Sequence, residues 1–312
     1  MDSEKLKLIS KISRLYYLGS FNQQEIGTRL GISRTKVSRY LDLARREKIV
    51  EIHLNLPEGQ FSELEFGIEK RFGLGECLVV ASYEDKNETF KAAAARLGSK
   101  LERILERGSY IGIGWGTTLK NVADRIQVGK DYGQKVVPII GGLGKIGTGV
   151  HTNQIASTLA NKLGGISYMI HSPGVLDSRE AREIIENDSN TREIIELSER
   201  VETAILGVSD IGPQSTLLKS GNFKEEEFEY LKGLGIVGDI NLNFIDRHGR
   251  HVKNRLDERL IRVPLDRIKK IKNVIVIGFE KRKVPVIRGA LMGQAINTLI
   301  TDEETAKNIL GS

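Results

Sequence analysis

The chain has a single cysteine, Cys77, in 312 residues. No internal disulfide can form, and the expected compartment is the cytoplasm, where thiols stay reduced. Long apolar runs are missing too. The longest is Cys77-Leu78-Val79-Val80-Ala81, against the roughly 20 residues that a membrane helix needs. Behind Met1-Asp2-Ser3-Glu4-Lys5 there is no apolar stretch of the signal-peptide kind, so neither export nor a membrane partner is expected. Of the histidines His53, His151, His171, His248 and His251, only the last two are close, in a polar turn without cysteine or paired carboxylates. No metal site is expected. There is no G-x-S-x-G nucleophile motif, and no carboxylate–lysine constellation reads as a general base and acid, so no catalytic residue is assigned. Internal repeats and low-complexity tracts are absent. With 39% hydrophobic and 28% charged residues, disordered and fibrous classes are excluded.

What the chain does have is an uneven charge distribution. Residues 1–54 carry eleven Lys/Arg against six Asp/Glu, whereas the remaining 258 residues carry 36 against 35. A small basic head on a nearly neutral body suits a nucleic-acid-binding module joined to a separate domain. Leu6, Leu8, Ile9, Ile12, Leu15 and Tyr16 recur at helical spacing over 4–18. Asn22 suits the N-cap of a second helix with Ile26 and Leu30 inward, Gly31 stops it, and Ser33 caps a third helix over about 34–47. Two short helices around a glycine turn match a helix-turn-helix. Val37, Tyr40, Leu41 and Ala44 take the inner side of the third helix. Arg34, Thr35, Lys36, Ser38 and Arg39 are left to reach phosphates and base edges of duplex DNA, with Ser33 at the helix N-terminus. The alternative is a plain three-helix cap with a solvated basic face. Residues 49–56 read as a strand, a small wing or the start of a linker. Pro57-Glu58-Gly59 marks the boundary between a head of residues 1–56 and a body of residues 57–312.

In the body, apolar strand-like runs (76–81, 109–113, 135–140, 166–170, 203–208, 242–245, 274–278) alternate with helical stretches (61–72, 87–107, 117–126, 152–163, 178–186, 189–199, 223–233, 284–292, 302–310). Strands too apolar to have a wet face predict an α/β fold, a mostly parallel sheet covered by helices on both sides. Ligands bind such sheets beyond the carboxyl ends of the strands. Two loops there stand out. Gly114-Trp115-Gly116-Thr117-Thr118 leads into a helix, and its glycines, threonine hydroxyls and helix N-terminus suit an anion. It is not the dinucleotide fingerprint, since G-x-G-x-G is not followed by the expected acidic residue, and no cofactor is expected. Residues 141–149 hold five glycines in nine. Gly141, Gly142 and Gly144 suit a loop closing over a small ligand, with Lys145 offered to an anion and Asn153 to a hydroxyl. Both loops are open to the plainer reading of tight or mobile connectors. Asp239, between glycines, either accepts from sugar hydroxyls or caps a turn. Among Lys281-Arg282-Lys283, one cation is expected at the sheet edge, with Lys281 and Arg282 read as solvated charge.

These motifs, in this order, resemble the SorC-type sugar-binding transcriptional regulators of bacteria. The head is similar in Arg14-Leu15-Tyr16-Tyr17, Gln23-Gln24-Glu25-Ile26, Leu30-Gly31-Ile32-Ser33-Arg34 and Val37-Ser38-Arg39. The body is similar in Gly114-Trp115-Gly116-Thr117-Thr118, Gly141-Gly142, Gly235-Ile236-Val237-Gly238-Asp239, Gly289-Ala290-Leu291 and Leu299-Ile300-Thr301-Asp302-Glu303. The resemblance implies a body with the fold of sugar-phosphate isomerases and CoA-transferases, kept as a sensor without catalysis. It implies a phosphorylated sugar as effector, double-stranded operator DNA as partner, and a homodimer or homotetramer. It adds Gln24 to the DNA-facing set. It implies that Gly116, Thr117, Thr118 and the 141–149 loop meet phosphate or hydroxyls, that Asn153 and Asp239 line the pocket, and that Lys283 is the phosphate-facing cation. The chain departs from the family at two positions. Gly114 stands where many members have serine. Ile140 stands where some members have a lysine that binds an aldehyde sugar covalently, so reversible binding is expected. The rival readings are a sugar-phosphate isomerase-like enzyme with a fused head and a structural scaffolding protein.

Overall fold

The structure, a computed structural model, describes residues 3–51, 61–143 and 151–311. The chain divides into two compact units, Met1–Glu58 and Gly59–Ser312.

The first unit holds α1 (Ser3–Tyr17), α2 (Gln23–Leu30) and α3 (Arg34–Arg46). Its boundaries are set by local chemistry. The Asn22 side chain accepts from the Glu25 amide at 3.0 Å, and the Glu25 carboxylate accepts from the Asn22 amide at 2.8 Å. Gly31, at φ 66°, ends α2, and the Ser33 hydroxyl accepts from the Lys36 amide at 3.2 Å to start α3. Ile12, Ile26, Val37 and Leu41 interlock as the core. Leu6 and Tyr16 share the helical period but stay 41% and 37% exposed, because so small a unit has no second layer to cover them. Residues 49–51 form no strand, and the rest of the 49–56 segment lies outside the described residues.

In the second unit, nine strands form one sheet among the described residues. They are β1 (Glu76–Val80), β2 (Tyr110–Ile113), β3 (Lys135–Pro138), β4 (Ile166–Ser167), β5 (Val201–Asp210), β6 (Ile236–Ile240), β7 (Asn243–Asp246), β8 (Asn273–Ile277) and β9 (Thr298–Asp302). The order β1-β9-β8-β5-β2-β3-β4 is parallel throughout. The main helices are α4 (Ser62–Phe72), α5 (Lys86–Ile104), α6 (Thr117–Arg125), α7 (Thr152–Lys162), α8 (Arg179–Asn187), α9 (Ser189–Leu197), α10 (Thr216–Lys219), α11 (Glu225–Gly233), α12 (Leu265–Ile268), α13 (Val284–Met292) and α14 (Glu303–Gly311). Strand side chains alternate between two apolar layers. Val274 and Val276 of β8 join a core with Ile68 of α4, Ile287 of α13 and Ile309 of α14. Ile275 and Ile277 join the opposite core with Leu97 of α5, Leu119 of α6 and Leu159 of α7. That is why β8 is apolar at four successive positions, Val274–Ile277.

Strand β5 belongs to two pairings. Residues Thr203–Gly207 run parallel to β8, whereas Val208–Asp210 pair antiparallel with β6, which folds back as a hairpin onto β7. Sequence patterning misses β6 and β9. In β6 the glycines read as punctuation, yet a Cβ on Gly238 would lie 2.3 Å from the Ser209 carbonyl oxygen, so Gly238 is there to let β5 approach. In β9 the apolar run is short and merges with the start signal of α14. Conversely, β4 covers only Ile166–Ser167 of the expected 166–170, and Leu242 belongs to the β6–β7 turn rather than to a strand. No described helix is long and apolar enough to cross a membrane.

Leu41→Ala should remove about 2–5 kcal/mol from the small head core. Hydrogen exchange should then show α1–α3 losing protection while the amides of the parallel sheet keep theirs. Equal loss in both units would mean that they do not fold separately.

Candidate functional site

Two surfaces gather the polar residues singled out above. On the head, Val37 and Leu41 turn α3 inward, which leaves Arg34, Thr35, Lys36 and Arg39 exposed and Ser38 half-buried. Gln24 of α2 is exposed as well. The Ser33 hydroxyl is occupied by its cap. Beside this face lies a cleft of about 460 Å³ in which Lys5 of α1 and Arg46 join Lys36 and Arg39. Asp42 lines the same cleft, but its carboxylate pairs with Arg45 at 2.6 Å. Lys5 and Arg46 were visible in the charge count only. Packing of α1 against α3 makes them neighbours of Lys36 and Arg39.

On the second unit, the ends of β2 and β8 deliver chain to a cavity of about 420 Å³. Strand β2 runs into Gly114-Trp115-Gly116 and then α6. Gly116 has φ 133°, a conformation closed to other residues, and its carbonyl accepts from the Lys120 amide. No side chain caps α6, so its first-turn amides are not met by a capping group. Thr117 and Thr118 line the cavity. Strand β8 continues through a turn, Lys281–Lys283, into α13. Lys86, Arg282 and Lys283 line the same cavity, with Thr216, Lys219 and Ser220 from α10 and its flank.

The charges in the cavity wall are not equivalent. Glu280 pairs with Lys86 at 2.8 Å and with Arg282 at 2.6 Å, and Asp210 pairs closely with Arg282. Arg282 is therefore a partly buried structural cation rather than the solvated one that the sequence suggests. Lys283 is buried, and among the described residues no hydrogen bond or ion pair holds its ammonium. Burial pulls its pKa below the usual lysine range, with Glu280 opposing.

Behind the wall, Asp239 of β6 is buried within electrostatic reach of Lys283, but it does not itself line the cavity. Its Oδ2 accepts from the Leu242 amide at 2.8 Å, and its Oδ1 has no partner. Burial pushes its pKa up to about 7, against the Leu242 amide and Arg262. The two-residue turn that follows is left-handed at both positions, Asn241 at φ 52° and Leu242 at 61°. Asn241 donates to the Ile139 carbonyl at 2.9 Å, and its Oδ1 also lacks a partner. A Cβ at Gly114 would sit 3.1 Å from that oxygen. A glycine at this position leaves room for the asparagine that faces it.

Other expected site residues are engaged elsewhere. The Asn153 amide donates to the Ile170 carbonyl at 2.9 Å and accepts from its amide at 3.0 Å, fixing the chain after β4. The Gly141 amide bonds to Ile261, and Gly142 pairs with Ser172 and Gly174. A Cβ on Gly141 would lie 2.5 Å from the Pro173 carbonyl oxygen. These two glycines allow backbone to meet backbone and do not line the cavity. Gly144 and Lys145 lie outside the described residues. Sequence reasoning missed Lys86, Asn241 and the α10 residues, because none belongs to a local motif. Among the described residues no cluster of His, Cys, Asp and Glu suits a metal ion.

A carboxyl group with a raised pKa favours the folded state below its unfolded pKa, and that contribution is lost as pH rises toward the folded value. Between pH 4 and about 7 the protein should lose stability relative to its Asp239→Asn variant, by at most about 1.4 kcal/mol per pH unit, and level off above. Paired denaturation curves measure this, and a constant difference across that range would mean that Asp239 stays ionised.

Residues 58–311 match the family described as "Putative sugar-binding domain". The full chain is 30% identical over 311 residues to the deoxyribonucleoside regulator of Bacillus subtilis, covering 99% of each chain. It is 30% identical over 312 residues to the sorbitol operon regulator of Klebsiella pneumoniae, again covering 99% of each. The crystal structure of that full-length Klebsiella regulator, SorC, superposes with a TM-score of 0.76 at 29% identity, covering 99% of this chain and 100% of the other. The chain belongs to the SorC-type family of sugar-binding transcriptional regulators.

Proposed function

We propose that the protein regulates transcription of carbohydrate-metabolism genes, with the α3 face of the head on operator DNA and reversible binding of a phosphorylated sugar in the second unit as the signal. The observation that carries this reading is the buried Lys283 ammonium, held by no carboxylate among the described residues, in a cavity that Thr117 and Thr118 at the start of α6 also line. A phosphate group would meet the cation, two hydroxyl donors and the helix amides together. Asp239 stays behind the cavity wall and acts on the cavity through its electrostatic reach to Lys283. Ile140 occupies the position of the covalent lysine and is buried in an apolar cluster, which favours non-covalent binding. Relatives named as regulators favour sensing over turnover. A ligand that prefers one conformation of the second unit shifts the population of operator-competent protein, most simply in a homodimer or homotetramer on paired half-sites.

Lys283→Met keeps the volume and removes the charge. In a panel of pentose and hexose phosphates, the parent should show a ligand-induced rise in Tm and a several-fold change in affinity for its own promoter DNA. The variant should lose both while still binding the DNA. A variant that responds like the parent removes Lys283 from the effector site.

Arg39→Ala should weaken promoter binding without lowering Tm. The slope of log affinity against log salt should fall by about 0.9 if the contact is to a phosphate. Normal affinity would place DNA on another face.

A further inference from the structure

A second cleft of the same unit, of about 470 Å³, also borders the turn that bears Lys283. Arg247 and His248 enter it from the turn after β7, Lys281 from the turn after β8, and Arg288 from α13. Val284 and Met292 line it at the two ends of the same helix, with Met292 half exposed. Among the described residues, none that lines it is acidic. That is notable in a body whose basic and acidic residues nearly balance, 36 against 35 beyond residue 54. Like charges gathered in a concave, partly apolar site repel one another and concentrate anions from solution.

The gathering is built, not incidental. Asp246 holds the turn by accepting from the His248 amide at 2.8 Å and the Arg250 amide at 3.0 Å. Gly249, at φ 73°, then lies directly on the backbone of α13. A Cβ there would come within 2.0 Å of the Gly289 carbonyl oxygen, and one on Gly293 within 2.6 Å of the Gly249 oxygen. Three glycines from two elements thus clamp the Arg247–His248 turn over the face of α13 that carries Arg288 and Met292. The turn Lys281–Lys283 borders both cavities, since Lys281 lines this one and Lys283 the other.

We propose that this cleft is a second ligand site, distinct from the Lys283 cavity, for an organic monophosphate with a flat ring, a nucleoside monophosphate being the simplest. Lys281 and the Arg247 guanidinium meet the phosphate. Guanidinium planes and the Met292 thioether are the groups that pack on ring faces, and the apolar Val284 side keeps water from the ring. The volume lies within the range of small-molecule pockets, roughly 300–1,000 Å³. The inference does not depend on what occupies the Lys283 cavity.

The test is calorimetric titration of the full chain with AMP, GMP, CMP and UMP, with adenosine and inorganic phosphate as controls. At least one nucleotide should bind at one per chain, and adenosine and phosphate should each bind at least tenfold more weakly than that nucleotide. Arg247→Glu with Lys281→Glu, both exposed positions, should weaken the nucleotide at least tenfold with an unchanged melting curve. Met292→Ala should weaken it several-fold without changing charge, and Lys283→Met should leave it unaltered. No nucleotide binding at millimolar concentration would overturn the proposal, as would binding insensitive to the Arg247/Lys281 pair or abolished by Lys283→Met. Sedimentation in which the charge-reversed pair dissociates an assembly of the parent chain would also overturn it, by assigning this face to a second copy.

Discussion

Burying a lysine without a carboxylate to hold it is the constraint around which the carboxyl edge of this sheet is organised. A buried ammonium loses hydration that only close opposite charge or hydrogen bonds restore. Of the three carboxylates within electrostatic reach, two are taken: Asp210 by Arg282, and Glu280 by Arg282 and Lys86. What remains for Lys283 is an electrostatic field and an open cavity. An anion in that cavity would compensate the cost. The neighbouring Asp239 shows the complementary condition, a carboxyl group so buried that its charge is disfavoured up to about pH 7. Groups perturbed in opposite directions beside one cavity are the pattern expected of a binding site.

Strand β5 makes this arrangement possible. Its first half is an ordinary member of the parallel sheet. Its last residues extend past the neighbouring strands and pair with β6 instead, which brings Asp239 and the Asn241-Leu242 turn over the edge where β2 and β8 end. The hairpin then reaches α13 through the Gly249 contact. One three-residue turn, Lys281–Lys283, therefore borders two clefts, with Lys281 in one and Arg282 and Lys283 in the other.

The head was legible because its signals are local. Asn22, Glu25, Gly31 and Ser33 act within four residues of themselves, and caps of that kind need no tertiary partner. The alternation of strands and helices in the body was legible for the same reason. The cavity was only half legible. Thr117, Thr118 and Lys283 follow directly from strand ends, where an α/β sheet places its ligands. Asn153 and Gly141 carry the same kind of sequence signal, a polar or small residue after a strand, but hydrogen bonds and close backbone contacts use them for packing. Nothing local distinguishes a glycine that admits a ligand from one that admits another stretch of backbone.

By itself, the sequence determined a basic three-helix head, a body of parallel strands buried on both faces, and the two chain segments that carry Thr118 and Lys283. Periodicity, capping residues and charge counts are properties of neighbouring residues, and they survive without knowing the fold. Only the tertiary structure decided which cation stays unpaired, which carboxylate is buried beside it, and which basic residues converge on α13. Those outcomes depend on distances between residues up to 194 positions apart, such as Lys86 and Glu280, and on desolvation, which no single segment contains.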